Sequence, residues 1–178
     1  MASDEHLMSA AGKGDARAFD EIVRRHQQSA WNFAYRFLGN VEEARDAVQE
    51  AFLRIWDAAP RYRPTAQFRT YLFRIVSRLC LDSIRRKRPV CMIELPDPPD
   101  PAPSAAENLL MKEQAEAVRR ALMQLPATQR LAIIMKYYEN CGCREIAEAL
   151  VITEKAAERL LSRGRKRMKI LLMKWMKE

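Results

Sequence analysis

Six of the nine prolines in this 178-residue chain fall within one stretch, PVCMIELPDPPDPAPSAAE, residues 89–107. Proline lacks a backbone N–H and drives the residue before it out of the helical region, so neither a helix nor a central strand can run through such a segment. The stretch carries 4 acidic and no basic side chains, a composition that suits an extended, partly disordered tether. The chain is therefore expected to form two units, residues 1–88 and residues 108–178, joined by this acidic linker.

Charge follows the same division. The chain holds 31 Lys and Arg against 23 Asp and Glu, a formal net charge of +8. Residues 1–88 contribute 16 basic and 11 acidic groups, and residues 108–178 contribute 15 and 8, so the positive charge belongs to the two units and not to the tether. Such an excess points to a polyanion, either nucleic acid or an acidic membrane surface. A merely solubilising surface gives the same net figure. No basic start is followed by an apolar core, and no apolar run approaches the ~18 residues that span a bilayer. The expectation is a cytoplasmic protein without membrane insertion, whose Cys80, Cys91, Cys141 and Cys143 stay reduced. Cys141-Gly142-Cys143 is too tight for a zinc knuckle and has no histidine beside it.

Both units read as all-α. In the first, Phe19, Ile22, Val23, Ala30, Phe33, Ala34 and Phe37 recur at three- and four-residue steps until Gly39-Asn40. Asn40 then suits an N-cap, with Glu43 three residues on as in a capping box. A second helix presents Val41, Ala44, Val48, Ala51, Phe52 and Ile55 inward. A third, from about Gln67 to Arg86, presents Phe68, Tyr71, Leu72, Ile75, Val76 and Leu79. In the second unit one helix covers about Ala106 to Gln124, and another carries Leu131, Ile134, Met135 and Tyr138. Two short runs then hinge at Val151-Ile152-Thr153. Neither unit is long enough to bury a large core alone.

Three constellations stand out. Asp46, Gln49, Glu50 and Leu53 share the outward face of the second helix, where Glu50 and Arg54 can pair. Such a face suits a partner's helices, and equally an ordinary solvated surface. On the third helix Arg74, Ser77, Arg78, Leu81 and Arg85 share a side, continued by Arg86, Lys87 and Arg88 and preceded by Arg61-Tyr62-Arg63. Cations beside Tyr62 and Tyr71 suit unpaired nucleotides, whose phosphates meet Arg and whose bases stack on rings, unless those rings belong to the core.

The third constellation is the hinged pair. Ile146, Ala147 and Leu150 face inward before the turn, and Ala156, Leu160 and Leu161 after it. Thr153 is a natural N-cap, with Glu154 in the first turn. The second helix ends in Arg159, Arg163, Arg165, Lys166, Arg167 and Lys169. That is the layout of a helix-turn-helix, with base-reading side chains at the start of the second helix and phosphate contacts around it. A plain amphipathic hairpin shares the pattern. No nucleophile–base set, metal cluster or glycine-rich phosphate loop occurs, so neither catalysis nor a cofactor is expected.

Taken in order, AFDEIVRRHQQSAWNFAYRFLGN, EEARDAVQEAFLRIW, FRTYLFRIVSRLCLDSIRRKR and LPATQRLAIIMKYYENCGCREIAEALVITEKAAERLLSRGRKRMK resemble the extracytoplasmic-function (ECF) sigma factors of the sigma-70 superfamily. The resemblance implies a dissociable subunit that takes core RNA polymerase to promoter DNA and is held inactive by an anti-sigma factor. It implies that Asp46, Gln49, Glu50 and Phe52, with Leu53 at the centre, meet the clamp helices of the large polymerase subunit, and that the flap of that subunit is a further contact. It assigns the minus-ten element to Arg61, Tyr62, Arg63, Tyr71, Arg74, Ser77, Arg78, Arg85, Arg86 and Lys87. The minus-thirty-five element falls to Arg144, Thr153, Glu154, Lys155, Ala157, Glu158, Arg159, Ser162, Arg163 and Arg165. The free chain is expected to be monomeric. Val151 stands where the family carries a turn glycine, and an αL residue there costs about 1 kcal/mol or more. Glu158 stands where a lysine is common and could accept from a cytosine amino group. The alternatives are a helix-turn-helix regulator acting without polymerase, and a helical adaptor.

Overall fold

The computed structural model describes residues 2–86 and 105–175, with side chains from residue 113 onward in the second segment. All regular structure among these residues is helical: α1 (Asp4–Ala11), α2 (Ala16–Leu38), α3 (Val41–Ala58), a 3-10 turn (Ala59–Arg61), α4 (Phe68–Arg86), α5 (Ala105–Met123), α6 (Ala127–Tyr137), α7 (Cys143–Leu150) and α8 (Glu154–Trp175). The linker proposed for residues 89–107 lies largely outside the described residues, as do Lys87, Arg88 and Cys91.

The helix ends follow from local chemistry. Asp15 Oδ1 accepts from the backbone N–H of Arg17 and Ala18 and starts α2. Gly39, at φ 70°, ends it in the left-handed conformation that a side chain would resist. Asn40 Oδ1 accepts from Glu43 N at 3.0 Å, the expected cap of α3. Glu43 Oε2 accepts from Ser83 Oγ at 3.1 Å, which ties α3 to α4. Helix α1 was not apparent in the sequence, because eight residues are too few to establish a period. It buries Leu7, Met8 and Ala11, and its Glu5 carboxylate accepts from Phe68 N at the start of α4.

The expected inward faces of α2 and α3 are buried or half-buried, with Ile22, Ala30, Phe33, Ala34 and Phe37 inaccessible. Helix α4 departs from expectation. Phe73, Ser77 and Cys80 are buried beside Leu72, Val76 and Leu79, because α4 packs against α2 and α3 and also against α7. A helix covered from two directions buries more than one stripe.

The two lobes share one continuous core. Helix α2 packs on α6 as well as on α3, and α4 packs on α7. At the joint sits Arg130, a buried guanidinium that no carboxylate among the described residues pairs. Its Nη1 donates to Phe37 O at 2.7 Å, and its Nη2 to Met123 O at 2.8 Å and Leu125 O at 3.3 Å. Its cation also lies 5.2 Å from the Phe37 ring centroid. These acceptors are carbonyls at or just beyond the C-terminal ends of α2 and α5, where unpaired C=O groups and the negative end of the helix dipole favour a cation. Burial holds the guanidinium below its ordinary pKa.

Replacing Arg130 with Ala strands these carbonyls in a buried site. The expected cost is about 2–4 kcal/mol of stability, read as a lower urea midpoint. An unchanged midpoint would remove Arg130 from the joint.

Candidate functional site

Helices α2 and α3 frame an apolar groove of about 610 Å³. Its walls are Phe19, Val23 and Trp31 from α2 and Val48, Phe52, Leu53 and Trp56 from α3, with Gln27, Gln28, Arg45 and Gln49 at the rim. Phe19 supports it, at 5.0 Å between ring centroids from Trp56 and 6.4 Å from Phe52. Leu53 is 53% exposed, whereas Phe52 is 7% exposed and forms the floor. Asp46 and Gln49 are exposed and Glu50 is partly so. Glu50 Oε1 accepts from Arg54 Nε at 2.7 Å, the expected pair. An exposed leucine in a groove floored by aromatics has the apolar centre and polar margin that suit a docking surface. The α2 half of this surface was missed in the sequence: Phe19, Val23 and Trp31 carry the period of a core helix, and periodicity does not distinguish a groove from a core.

The basic face of α4 lies elsewhere. Arg61 and Arg63 are exposed in the turn before α4, and Arg74, Arg78, Arg85 and Arg86 along it. Ser77 is not among them: it is 1% exposed, its hydroxyl has no hydrogen-bond partner among the described residues, and it belongs to the wider buried face of α4. Tyr62 and Tyr71 are half-buried against each other, 5.3 Å between centroids, and both flank Phe68 at 6.5 and 6.4 Å. Burial pushes both phenols above the usual tyrosine range. The two rings thus form a small aromatic platform on Phe68, partly open to solvent beside Arg61, Arg63 and Arg74.

Helices α7 and α8 form the hinged pair. Gly142 N donates to Glu145 Oε2 at 2.7 Å at the start of α7. The turn closes through Ile152 N to Ala147 O at 3.0 Å and Val151 N to Glu148 O at 3.3 Å, the two bonds of a Schellman motif. Val151 takes φ 57° and ψ 48° and is 71% exposed. A β-branched residue pays most for that left-handed geometry, and here its side chain recovers little by burial. Thr153 Oγ1 caps α8 by accepting from Ala156 N at 3.2 Å.

The inner face of α8 is Ala157, Leu161 and Gly164: Leu161 is buried as expected, Ala156 and Leu160 are half-buried beside it, and Ala157 and Gly164 were not expected there. A Cβ on Gly164 would come within 2.8 Å of Ile133 Cγ1, so small residues let α8 lie close on α6. Ala157 is therefore inaccessible, and its place among the expected surface contacts is corrected. Glu154, Lys155, Glu158, Arg159, Ser162, Arg163 and Arg165 are all exposed, on or beside one flank. Arg144 lies on α7, exposed and paired with Glu148 at 3.1 Å.

Among the described residues no cluster of three or more His, Cys, Asp or Glu side chains could hold a metal, and no helix is long and apolar enough to cross a membrane. Burial pushes the Cys80 thiol up to about 12 and Cys141 to about 11, so neither is a thiolate near neutrality.

Two family models match in chain order: Sigma-70 region 2 over residues 22–90, and Sigma-70, region 4 over residues 115–168. The chain is 31% identical over 170 residues to the ECF RNA polymerase sigma factor SigW of Bacillus subtilis, covering 86% of this chain and 88% of that one. It is 34% identical to SigM of Mycobacterium tuberculosis, covering 96% and 85%. In structure it is similar to CnrH, solved in complex with the cytosolic domain of CnrY, with a TM-score of 0.72, 26% identity, and 96% and 97% of the chains covered.

Substituting Val151 with Gly relieves the turn. The expected gain is a few tenths to about 1 kcal/mol, glycine's greater unfolded-state freedom offsetting part of the relief. Thermal denaturation measures it, and a lower midpoint would show that the valine side chain contributes a contact at this turn.

Proposed function

The chain belongs to the ECF RNA polymerase sigma factors of the sigma-70 family, and from that premise we propose how its surfaces divide the work of promoter-specific initiation. Residues 1–88 form the polymerase-docking and promoter-melting lobe, and residues 108–178 the lobe that reads the minus-thirty-five element, with residues 89–107 as the tether. The observation that carries this reading is the α2/α3 groove beside exposed Leu53. The apolar centre and the Asp46, Gln49 and Glu50 margin suit the clamp helices of the large polymerase subunit, which supply apolar and basic partners. A regulator acting without polymerase has no use for such a surface.

Arg61, Arg63, Arg74, Arg78, Arg85 and Arg86 are exposed cations suited to phosphates of the melted minus-ten strand. Tyr62 and Tyr71 offer ring faces and edges for unpaired bases. On α8, Glu154, Lys155, Glu158 and Arg159 occupy the turns that enter a major groove, while Arg163 and Arg165 suit flanking phosphates. Glu158 carries the base preference: a carboxylate there repels phosphate but accepts from a cytosine amino group. An anti-sigma protein seated on the two lobes would hold the factor inactive, as CnrH is solved with the cytosolic domain of CnrY. The protein acts in the cytoplasm.

Reconstitution tests the whole reading. Adding the protein to bacterial core polymerase should create initiation at promoters that core alone ignores; tight duplex binding without initiation would favour the free-standing regulator. Glu50→Lys should abolish association with core while circular dichroism stays unchanged, since the Glu50–Arg54 surface pair is worth only about 0.3–0.5 kcal/mol. Undiminished core affinity would remove Glu50 from the docking surface. Glu158→Gln should change discrimination at one promoter position by about 1–3 kcal/mol in a binding assay across sequence variants. A uniform change at every position would reduce Glu158 to a charge effect.

A further inference from the structure

The loop that carries Arg61, Tyr62 and Arg63 has few backbone bonds of its own. Among the described residues these are Tyr62 N to Ala59 O at 3.1 Å and Thr65 N to Arg63 O at 2.9 Å, until α4 begins. Both ends of the loop rest on one short helix, α1. At the first end Gly12, the C-cap of α1, lies against the 3-10 turn: a Cβ there would meet Ala59 O at 2.5 Å and Pro60 Cα at 3.3 Å. At the other end Glu5 Oε1 accepts from Phe68 N at 3.4 Å, where α4 starts. Helix α1 is fixed in turn to α2. Asp4 Oδ1 accepts from Arg25 Nη1 at 3.0 Å, and Asp4 Oδ2 pairs with His26 Nε2 at 2.7 Å. We infer that α1 is a positioning element for promoter melting, in which Gly12 and Glu5 hold the Tyr62, Phe68 and Tyr71 rings where unpaired bases meet them. The inference rests on reading that platform as part of the minus-ten surface.

Glycine at position 12 is the first indication. It takes φ −64° and ψ −17°, an ordinary right-handed conformation open to any residue. Backbone freedom therefore does not require glycine here. What excludes a side chain is the Ala59 carbonyl, a backbone group that cannot swing aside. The same oxygen accepts from Tyr62 N, so an intruding Cβ displaces the atom that fixes the Tyr62 backbone.

Glu5 is the second. The first N–H groups of a helix have no partner within it, and α4 borrows one for Phe68 from another element. A carboxylate at that end is also favoured by the helix dipole. Phe68 is inaccessible and is the ring that Tyr62 and Tyr71 flank, so holding its backbone holds the platform. His26, the partner of Asp4, packs on Phe68 at 5.0 Å between ring centroids. The Tyr62 hydroxyl is buried with no hydrogen-bond partner among the described residues, which leaves its ring as the part a base can meet. Immobilising a free side chain on binding costs up to about tenfold in affinity, a loss that a ring held in advance avoids.

Holoenzyme reconstituted from core polymerase and each variant tests this, on promoter DNA carrying 2-aminopurine in the minus-ten element to report unpairing. Gly12→Ala should reduce the extent of opening about tenfold and Glu5→Ala about threefold. Glu5→Gln keeps an acceptor oxygen and should lie closer to the wild type. Affinity for core polymerase should stay within about twofold, because no α1 residue lines the α2/α3 groove. Gly12→Ala combined with Tyr62→Ala should lose much less than the product of the two single losses, as residues acting through one another do. Losses that multiply would rule out action through Tyr62. Undiminished opening, or core affinity that falls in step with it, would overturn the positioning role. Should Gly12→Ala fail to fold, the two Glu5 variants carry the same test. Nuclear magnetic resonance of the free protein separates this role from the reading beneath it. Gly12→Ala should shift the Tyr62 and Tyr71 ring resonances and leave the Leu53 and Leu161 methyls in place. Unshifted rings would refute the seating. Shifted rings beside a wild-type holoenzyme that opens no promoter would leave the seating standing and sink the minus-ten reading instead.

Discussion

A buried cation held by backbone carbonyls is the point on which this architecture turns. Arg130 offers its guanidinium to Phe37 O at the end of α2 and to Met123 O and Leu125 O around the end of α5. Helix ends carry orphan acceptors and a partial negative charge, and one planar donor group serves two of them together. The consequence is positional. The first lobe's longest helix ends on the second lobe's α6, and the same approach brings α4 against α7. The α2/α3 groove, lined by those two helices, stays clear of the joint.

This placement separates the surfaces by chemistry. The groove is apolar, with Gln27, Gln28, Arg45 and Gln49 at its rim and the Asp46 and Glu50 carboxylates next to it on α3, which suits a protein partner. The exposed edges of α4 and α8 are rich in arginine, fitting phosphate. Both kinds of surface are exposed while the two lobes are packed together.

Much of the fold was legible along the chain. Helix periods, the Asn40 and Thr153 caps, the Gly39 stop and the αL conformation at Val151 are local matters, decided within four or five residues by backbone hydrogen bonding and sterics. The exposed face of α3 was readable for the same reason, since opposite sides of one helix differ in composition. Residues shared between elements were read less well. Phe19, Val23 and Trp31 have the spacing of core residues and pack against the core, yet they also line half of the α2/α3 groove. Ser77 has the spacing of the arginine track and Ala157 was expected among the surface contacts, and both are buried.

The sequence by itself determined that this chain is two helical lobes about an acidic, proline-rich segment, and where its helices start and stop. It also determined the order of motifs that places the chain in its family. Only the tertiary structure decided which side of α4 and α8 faces inward, that two half-faces make one groove, and that Arg69 meets Glu139, 70 residues away. The physical reason is range. Caps, turns and amphipathic periods act between near neighbours in the chain. The phase of a helix and the partner of a charge depend on which other element lies across the core, a fact that no single segment carries.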